Sequence, residues 1–72
     1  MYIMSTMISV KSDHIAAIGY SKQMLRIRFH NGRAIKYFFV PKNIYDAFLS
    51  APSKNDFFVG NIRGKYSQAV IK

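Results

Sequence analysis

The sequence predicts an α+β fold, in which a three-stranded antiparallel β-meander is followed by two short helices packed on one face of the sheet. Apolar and polar residues alternate over residues 25–30, which is the period of a half-buried strand. Asn31-Gly32 follows as a hairpin turn signal. Apolar residues then recur at helical spacing over residues 44–49, so an amphipathic helix comes after the strands.

The N-terminal residues carry the weakest pattern. We expect residues 1–9 to be either a poorly ordered segment or a short edge strand, ahead of a single domain that spans residues 10–72. Ser12-Asp13 is a turn signal, and residues 15–20 are predicted to form the first core strand. Within that strand Gly19 indicates a bulge or a close backbone approach.

The loop of the central hairpin decides which residues share a face. A two-residue loop would place Lys36 opposite Ile27, on the apolar face. A three-residue loop with Gly32 at positive φ pairs Ile27 with Ile35 instead, and we favour it. The apolar face then holds Leu25, Ile27, Phe29, Ile35, Tyr37 and Phe39, and the other face holds Arg26, Arg28, Lys36 and Phe38.

The favoured register places Arg26 directly opposite Lys36. Like charges in such a pair destabilise a sheet mildly, so their presence indicates an anionic partner. The alternative is that both side chains simply splay into water.

Proline and serine residues set the limits of the two helices. Pro41 is suited to the first helical position, and the helix must stop by Ala51 because Pro52 follows. Ser53 is suited to cap the second helix, and Gly64 to end it. Residues 65–72 fit either a continued helix or a docked extended segment.

Composition limits the function classes. The 72 residues carry a net charge of +8 and a sequence pI near 10.1, so RNA, DNA, an acidic protein or an anionic membrane surface are the natural partners. There is no cysteine, which excludes disulfides, thiolate nucleophiles and cysteine metal sites. No apolar run approaches the ~20 residues that span a bilayer, and the apolar stripe of residues 44–49 is needed for the core, so we expect a cytoplasmic protein without a membrane role.

Catalysis and metal binding are not expected. The three acidic residues, Asp13, Asp46 and Asp56, lie at separate element ends, where turn or capping roles account for them. Nothing in the spacing of His14 and His30 requires them to converge on a metal ion. We therefore expect neither an enzyme nor a cofactor.

A set of spaced residues resembles the KTSC domain, a family named for the C-terminal extension of some lysyl-tRNA synthetases. The residues are Val10, Ser12, Ile15, Ile18-Gly19-Tyr20, Leu25, Ile27, Phe29, Gly32, Lys36-Tyr37, Val40-Pro41, Tyr45, Ala51, Ser53, Phe58, Ile62-Arg63 and Tyr66. The family usually has a Tyr-x-Tyr at its centre, where this chain has Ile35 and Tyr37. What the resemblance implies is RNA binding, through the attachment of the domain to synthetases.

The predicted function is a small binding module for RNA, tRNA included, without strong sequence preference. Cations would neutralise phosphates while an aromatic ring stacks on a base. The predicted site residues are Arg26, Arg28, Lys36, Phe38, Arg63, Lys65 and Tyr66. The alternative is a protein-interaction module that docks an acidic partner, such as a host protein if the chain is phage-encoded.

Overall fold

A computed structural model of the protein describes residues 7–72. Its elements, in chain order, are β1 (Ile8–Ser9), β2 (Ile15–Ser21), β3 (Met24–Phe29), β4 (Ala34–Tyr37), α1 (Lys42–Ser50), α2 (Lys54–Asn61) and β5 (Gln68–Val70). The strands form one sheet in chain order, and each pairs antiparallel with the next. The predicted α+β class, with two helices and an antiparallel sheet, is confirmed, but the prediction of three strands was wrong because the sheet within residues 7–72 has five.

The two additional strands come from the ends of the described chain. β1 pairs Ile8 with Ile18 at one edge, and β5 pairs Val70 with Ile35 at the other. With two and three residues, these strands are too short for an alternation to be read from the sequence. The part of the N-terminal prediction that concerns residues 1–6 lies outside the described residues.

The central hairpin adopts the favoured register. Ile27 pairs with Ile35 and Arg26 pairs with Lys36. Gly32 has a φ of 94°, a conformation that an L side chain would strain. The Asn31 side chain accepts a hydrogen bond from the Arg33 N–H at 2.9 Å, which closes the turn. The three-residue loop is therefore confirmed.

Both helices pack on one face of the sheet and bury its apolar side chains. The core cluster comprises Ile15, Ile18, Leu25, Ile27, Tyr37, Val40, Phe48, Phe58 and Ile62. The Phe58 ring meets Phe29 and Tyr37 edge-on, with ring centroids 5.6 and 5.9 Å away. Burying a large apolar side chain stabilises a fold by roughly 1.5–3 kcal/mol, so this cluster is the main source of stability.

Phe39 does not belong to the core, which corrects the prediction that it lies on the apolar face. It is 78% exposed and has a φ of 58°. β4 ends at Tyr37. The backbone of Phe39 is in the left-handed region and turns the chain before Val40, whose side chain is buried in the core. The strand alternation therefore stops two residues before Phe39.

The helix ends follow the predicted residues with small shifts. Pro41 is the N-cap of α1 and Ala51 its C-cap, so the helix stops before Pro52 as expected. The Ser53 side chain accepts a hydrogen bond from the Asp56 N–H at 3.2 Å and caps α2. Gly64, with a φ of 78°, lies in the turn after α2 and does not end it directly. Neither helix within residues 7–72 combines the length and apolar character needed to cross a membrane.

The irregularity in β2 lies away from the predicted glycine. The register shifts between Ile15 and Ala17, whereas Gly19 pairs regularly with Arg26. The bulge adds one residue to β2 opposite β3, which keeps both Ile15 and Ile18 in the core.

Candidate nucleic-acid interface

The basic face is the side of the sheet opposite the helices, and it carries three of the predicted cations. Arg26 and Arg28 alternate along β3 with the buried Leu25 and Ile27, and Arg26 lies directly opposite Lys36 on β4. Neighbouring strands are about 5 Å apart and alternate residues of one strand about 7 Å apart. The three cations therefore occupy one small patch and can meet the same stretch of an anionic ligand.

Small residues surround these cations on the sheet. Their cross-strand neighbours on this face are Ala17, Gly19, Ala34 and Ala69. No bulky side chain of β2, β4 or β5 stands directly beside an arginine or lysine of the patch. The long basic side chains therefore have room to turn over these small residues, of which Ala17 and Gly19 are buried.

A fourth cation, Lys72, joins the basic face through pairing at the end of the chain. The Ala34 N–H donates a hydrogen bond to the Lys72 carbonyl at 3.1 Å. Lys72 and the three predicted cations line a groove of about 460 Å³, to which Met7 and Ile71 contribute apolar surface. Sequence reasoning missed Lys72 because only the pairing of the chain end with β4 brings it here, and no local pattern signals that pairing.

The acidic residues lie away from this patch. Asp13 precedes β2, Asp46 lies on α1 and Asp56 on α2, and these are the three carboxylate side chains of the sequence. Asp46 forms an ion pair with Lys42, with 3.1 Å between the Lys42 Nζ and a carboxylate oxygen. The helix carboxylates are on the other side of the sheet, so no described carboxylate side chain forms an ion pair with a cation of the basic face.

Phe38 lies at the end of the basic face, as predicted. The Lys36 ammonium group is 5.6 Å from the centroid of the Phe38 ring, within the range of a cation–π contact. One face of this ring therefore already has a cationic neighbour. A base that stacks on that face has to displace Lys36.

The other predicted patch, Arg63-Gly64-Lys65-Tyr66, is not part of the basic face. It forms the turn between α2 and β5, and Arg63 lines a separate cleft of about 280 Å³ on the helix side of the sheet. Tyr66 is partly buried and packs against the core cluster. The structure therefore brings Arg26, Arg28, Lys36 and Phe38 together and separates them from Arg63, Lys65 and Tyr66.

Tyr37 forms part of the floor of that second cleft. Burial raises the pKa of its hydroxyl above the ordinary value of 10.0, and the nearby positive charge of Arg63 opposes the shift. The hydroxyl is therefore neutral at physiological pH. It can donate or accept a hydrogen bond but is not a general base.

The histidines occupy exposed positions outside both patches. His30 Nε2 donates a hydrogen bond to the Ser12 carbonyl at 2.9 Å, which ties the central hairpin to the segment before β2. Within residues 7–72, no three side chains of the metal-ligating types converge. The candidate interface of the described residues consists of cations and aromatic rings.

Comparisons with known proteins give consistent matches. The family model described as the KTSC domain matches residues 11–66. A protein from Tsukamurella paurometabola is 34% identical over 64 residues, which cover 86% of this chain and 96% of that protein. The crystal structure of a KTSC domain protein from Yersinia pestis is 36% identical with a TM-score of 0.90, and the match covers 96% of this chain and 100% of that chain.

Proposed function

The chain belongs to the KTSC domain family, and we propose that it is a non-catalytic module that binds single-stranded RNA through the basic face. The observation that carries the proposal is the grouping of Arg26, Arg28, Lys36 and Lys72 around one groove. No described carboxylate side chain lies on this face. Such a surface attracts a polyanion by releasing its condensed counterions.

The shape of the basic face favours a single strand over a duplex. Reading the major groove of a duplex requires a helix or a two-stranded ribbon that protrudes into it. Both helices within residues 7–72 pack on the opposite side of the sheet. A sheet surface instead suits unpaired nucleotides, whose phosphates lie on cations and whose bases stack on aromatic rings. The proposal includes a cytoplasmic location, where such RNA is available.

A salt titration tests the proposal. Single-stranded RNA releases about 0.7 counterion per neutralised phosphate, so four contacts predict a slope of roughly −3 for log affinity against log salt. The Arg26→Gln, Arg28→Gln double variant removes two contacts and should reduce the slope to about −1.5. The measurement is fluorescence anisotropy with a labelled unstructured RNA, from low to physiological salt, beside a duplex DNA of equal length.

The matched control is the Arg63→Gln, Lys65→Gln double variant. It loses two positive charges, as many as the first double variant, but from the turn between α2 and β5. Its slope of log affinity against log salt should therefore equal that of the wild-type protein. If both double variants reduce the slope equally, the protein binds RNA through its overall charge and the basic face is not the site. If an acidic protein binds the basic face and excess RNA does not displace it, the module docks protein and not RNA.

A further inference from the structure

The strain in the described backbone is concentrated at one corner of the sheet. Lys22, Gln23 and Phe39 are the non-glycine residues of residues 7–72 with positive φ, at 51°, 63° and 58°. Lys22 and Gln23 form the turn between β2 and β3, and the Gln23 carbonyl accepts a hydrogen bond from the Val40 N–H at 2.9 Å. The turn therefore lies beside Phe39, and we call these three residues the Phe39 corner.

Folding alone does not explain a phenylalanine at position 39. The left-handed region is unfavourable for an L residue, and a bulky side chain there is a marked outlier. With 78% of its surface exposed, Phe39 gains little from burial to offset that strain. A glycine would adopt the same backbone without strain and would remove an exposed apolar ring. Strain of this kind concentrates at functional sites, where the surrounding structure maintains it.

Hydrogen bonds on both sides of Phe39 maintain its conformation. The Phe38 N–H donates to the Ser67 carbonyl at 2.9 Å, which ties the preceding residue to the segment before β5. The Tyr20 hydroxyl donates to the Val40 carbonyl at 2.6 Å, and Val40 is fully buried. The backbone is therefore fixed before and after Phe39, and the direction of its Cα–Cβ bond is set in advance of any ligand.

Phe39 is also the aromatic residue most available for contact. Every other aromatic residue within residues 7–72 is buried or partly buried. The two rings predicted from the sequence to stack on a base are less accessible, since Phe38 lies against Lys36 and Tyr66 packs on the core. A base can therefore reach Phe39 without displacing another side chain of the predicted site.

We propose that Phe39 is the platform on which an unpaired base of the bound RNA stacks. The proposal rests on the RNA-binding function proposed above and identifies the aromatic contact for it. Phe38 precedes Phe39 and lies on the basic face, so an RNA strand that leaves that face by Phe38 reaches the corner next. Every base has a π face, so such a contact adds affinity without strong sequence preference.

The test compares base-bearing and abasic probes of equal length and charge. Phe39→Gly should weaken binding of an oligouridine by about 5- to 150-fold, the range that one base–aromatic stack contributes. Binding of the abasic oligonucleotide and the salt slope should not change, because the cations are intact. Phe39→Tyr keeps the ring and should keep the affinity. Phe39→Gly should also raise the thermal unfolding midpoint, since glycine relieves the strain.

The outcomes separate this proposal from the function on which it rests. If the wild-type protein binds oligouridine and Phe39→Gly binds it equally well, Phe39 is not the platform and the basic face remains the site. If Phe39→Gly weakens the abasic probe equally, Phe39 acts on the fold and not on a base. If the wild-type protein binds neither probe, the RNA-binding function and the platform both fail.

Discussion

Repulsion between Arg26 and Lys36 should lower the free energy of unfolding, and added salt should remove this effect. The two residues are directly opposed on β3 and β4, and this contact exists only in the folded chain. Arg26→Gln removes one charge while it keeps a polar side chain on the strand. It leaves Lys36 in place above the Phe38 ring, so the cation–π contact is retained. The variant should therefore be more stable than the wild-type protein at low salt.

The size of the effect follows from the strand geometry. Long side chains on directly opposed positions hold their charges at roughly 7 Å, which corresponds to about 0.6 kcal/mol of repulsion in water. Screening leaves about 0.5 kcal/mol at 10 mM salt and less than about 0.1 kcal/mol at 1 M. For a chain of 72 residues the larger value corresponds to a shift of about 3 °C in the unfolding midpoint.

Thermal unfolding followed by circular dichroism at the two salt concentrations measures this shift. Arg26→Lys keeps the charge and should show no salt-dependent gain, whereas Lys65→Gln reports the general relief of lowering a net charge of +8. The reasoning is refuted if Arg26→Gln gains no more than Lys65→Gln at 10 mM. It is also refuted if the gain of Arg26→Gln persists at 1 M.

Three tyrosine substitutions test other parts of the structure. Tyr20→Phe should lower the free energy of unfolding by about 1–2 kcal/mol, because the Val40 carbonyl loses its hydrogen-bond donor. The ring of residue 20 still stacks on Tyr45, with ring centroids 4.8 Å apart. Urea denaturation measures the loss. Tyr45→Phe keeps the same stack and should change stability by less than about 0.5 kcal/mol; an equal loss in both variants would argue against the hydrogen bond. The free energy of unfolding of Tyr37→Phe should rise relative to that of the wild-type protein above about pH 10. Because burial raises the pKa of Tyr37 in the folded protein, this hydroxyl ionises first in the unfolded chain, which lowers the stability of the wild-type protein. Denaturation at pH 8 and pH 11 measures this, and a difference that does not change with pH would contradict the shift.

The basic face and the Phe39 corner share a physical feature. At each, the residues present are less favourable for folding than simple alternatives, a neutral residue at Arg26 and a glycine at Phe39. The buried core on the other face of the sheet is what allows the domain to carry both. Under the proposed function, substitutions at Arg26 or Phe39 that raise stability should lower RNA affinity.

Local patterns predicted the central part of the fold. The alternation of residues 25–29 and the turn at Asn31-Gly32 specify which side chains of β3 and β4 share a face, because a one-residue slip would reverse every one of them. The limits of the helices follow from Pro41, the Ala51-Pro52 step and the Ser53 cap, since each acts on the backbone beside it. Three of the cations of the basic face could be assigned to one face for the same reason.

Long-range contacts decided the remaining features. β1 and β5 exist as strands because the sheet offers them an edge, and the pairing of the chain end with β4 is what adds Lys72 to the basic face. Phe39 leaves the apolar face because hydrogen bonds from Val40 and Phe38 to distant segments turn the chain. Periodicity places a side chain relative to its own element only. Which elements meet, and on which side of the sheet Arg63 and the helices lie, depends on contacts between residues far apart in the chain.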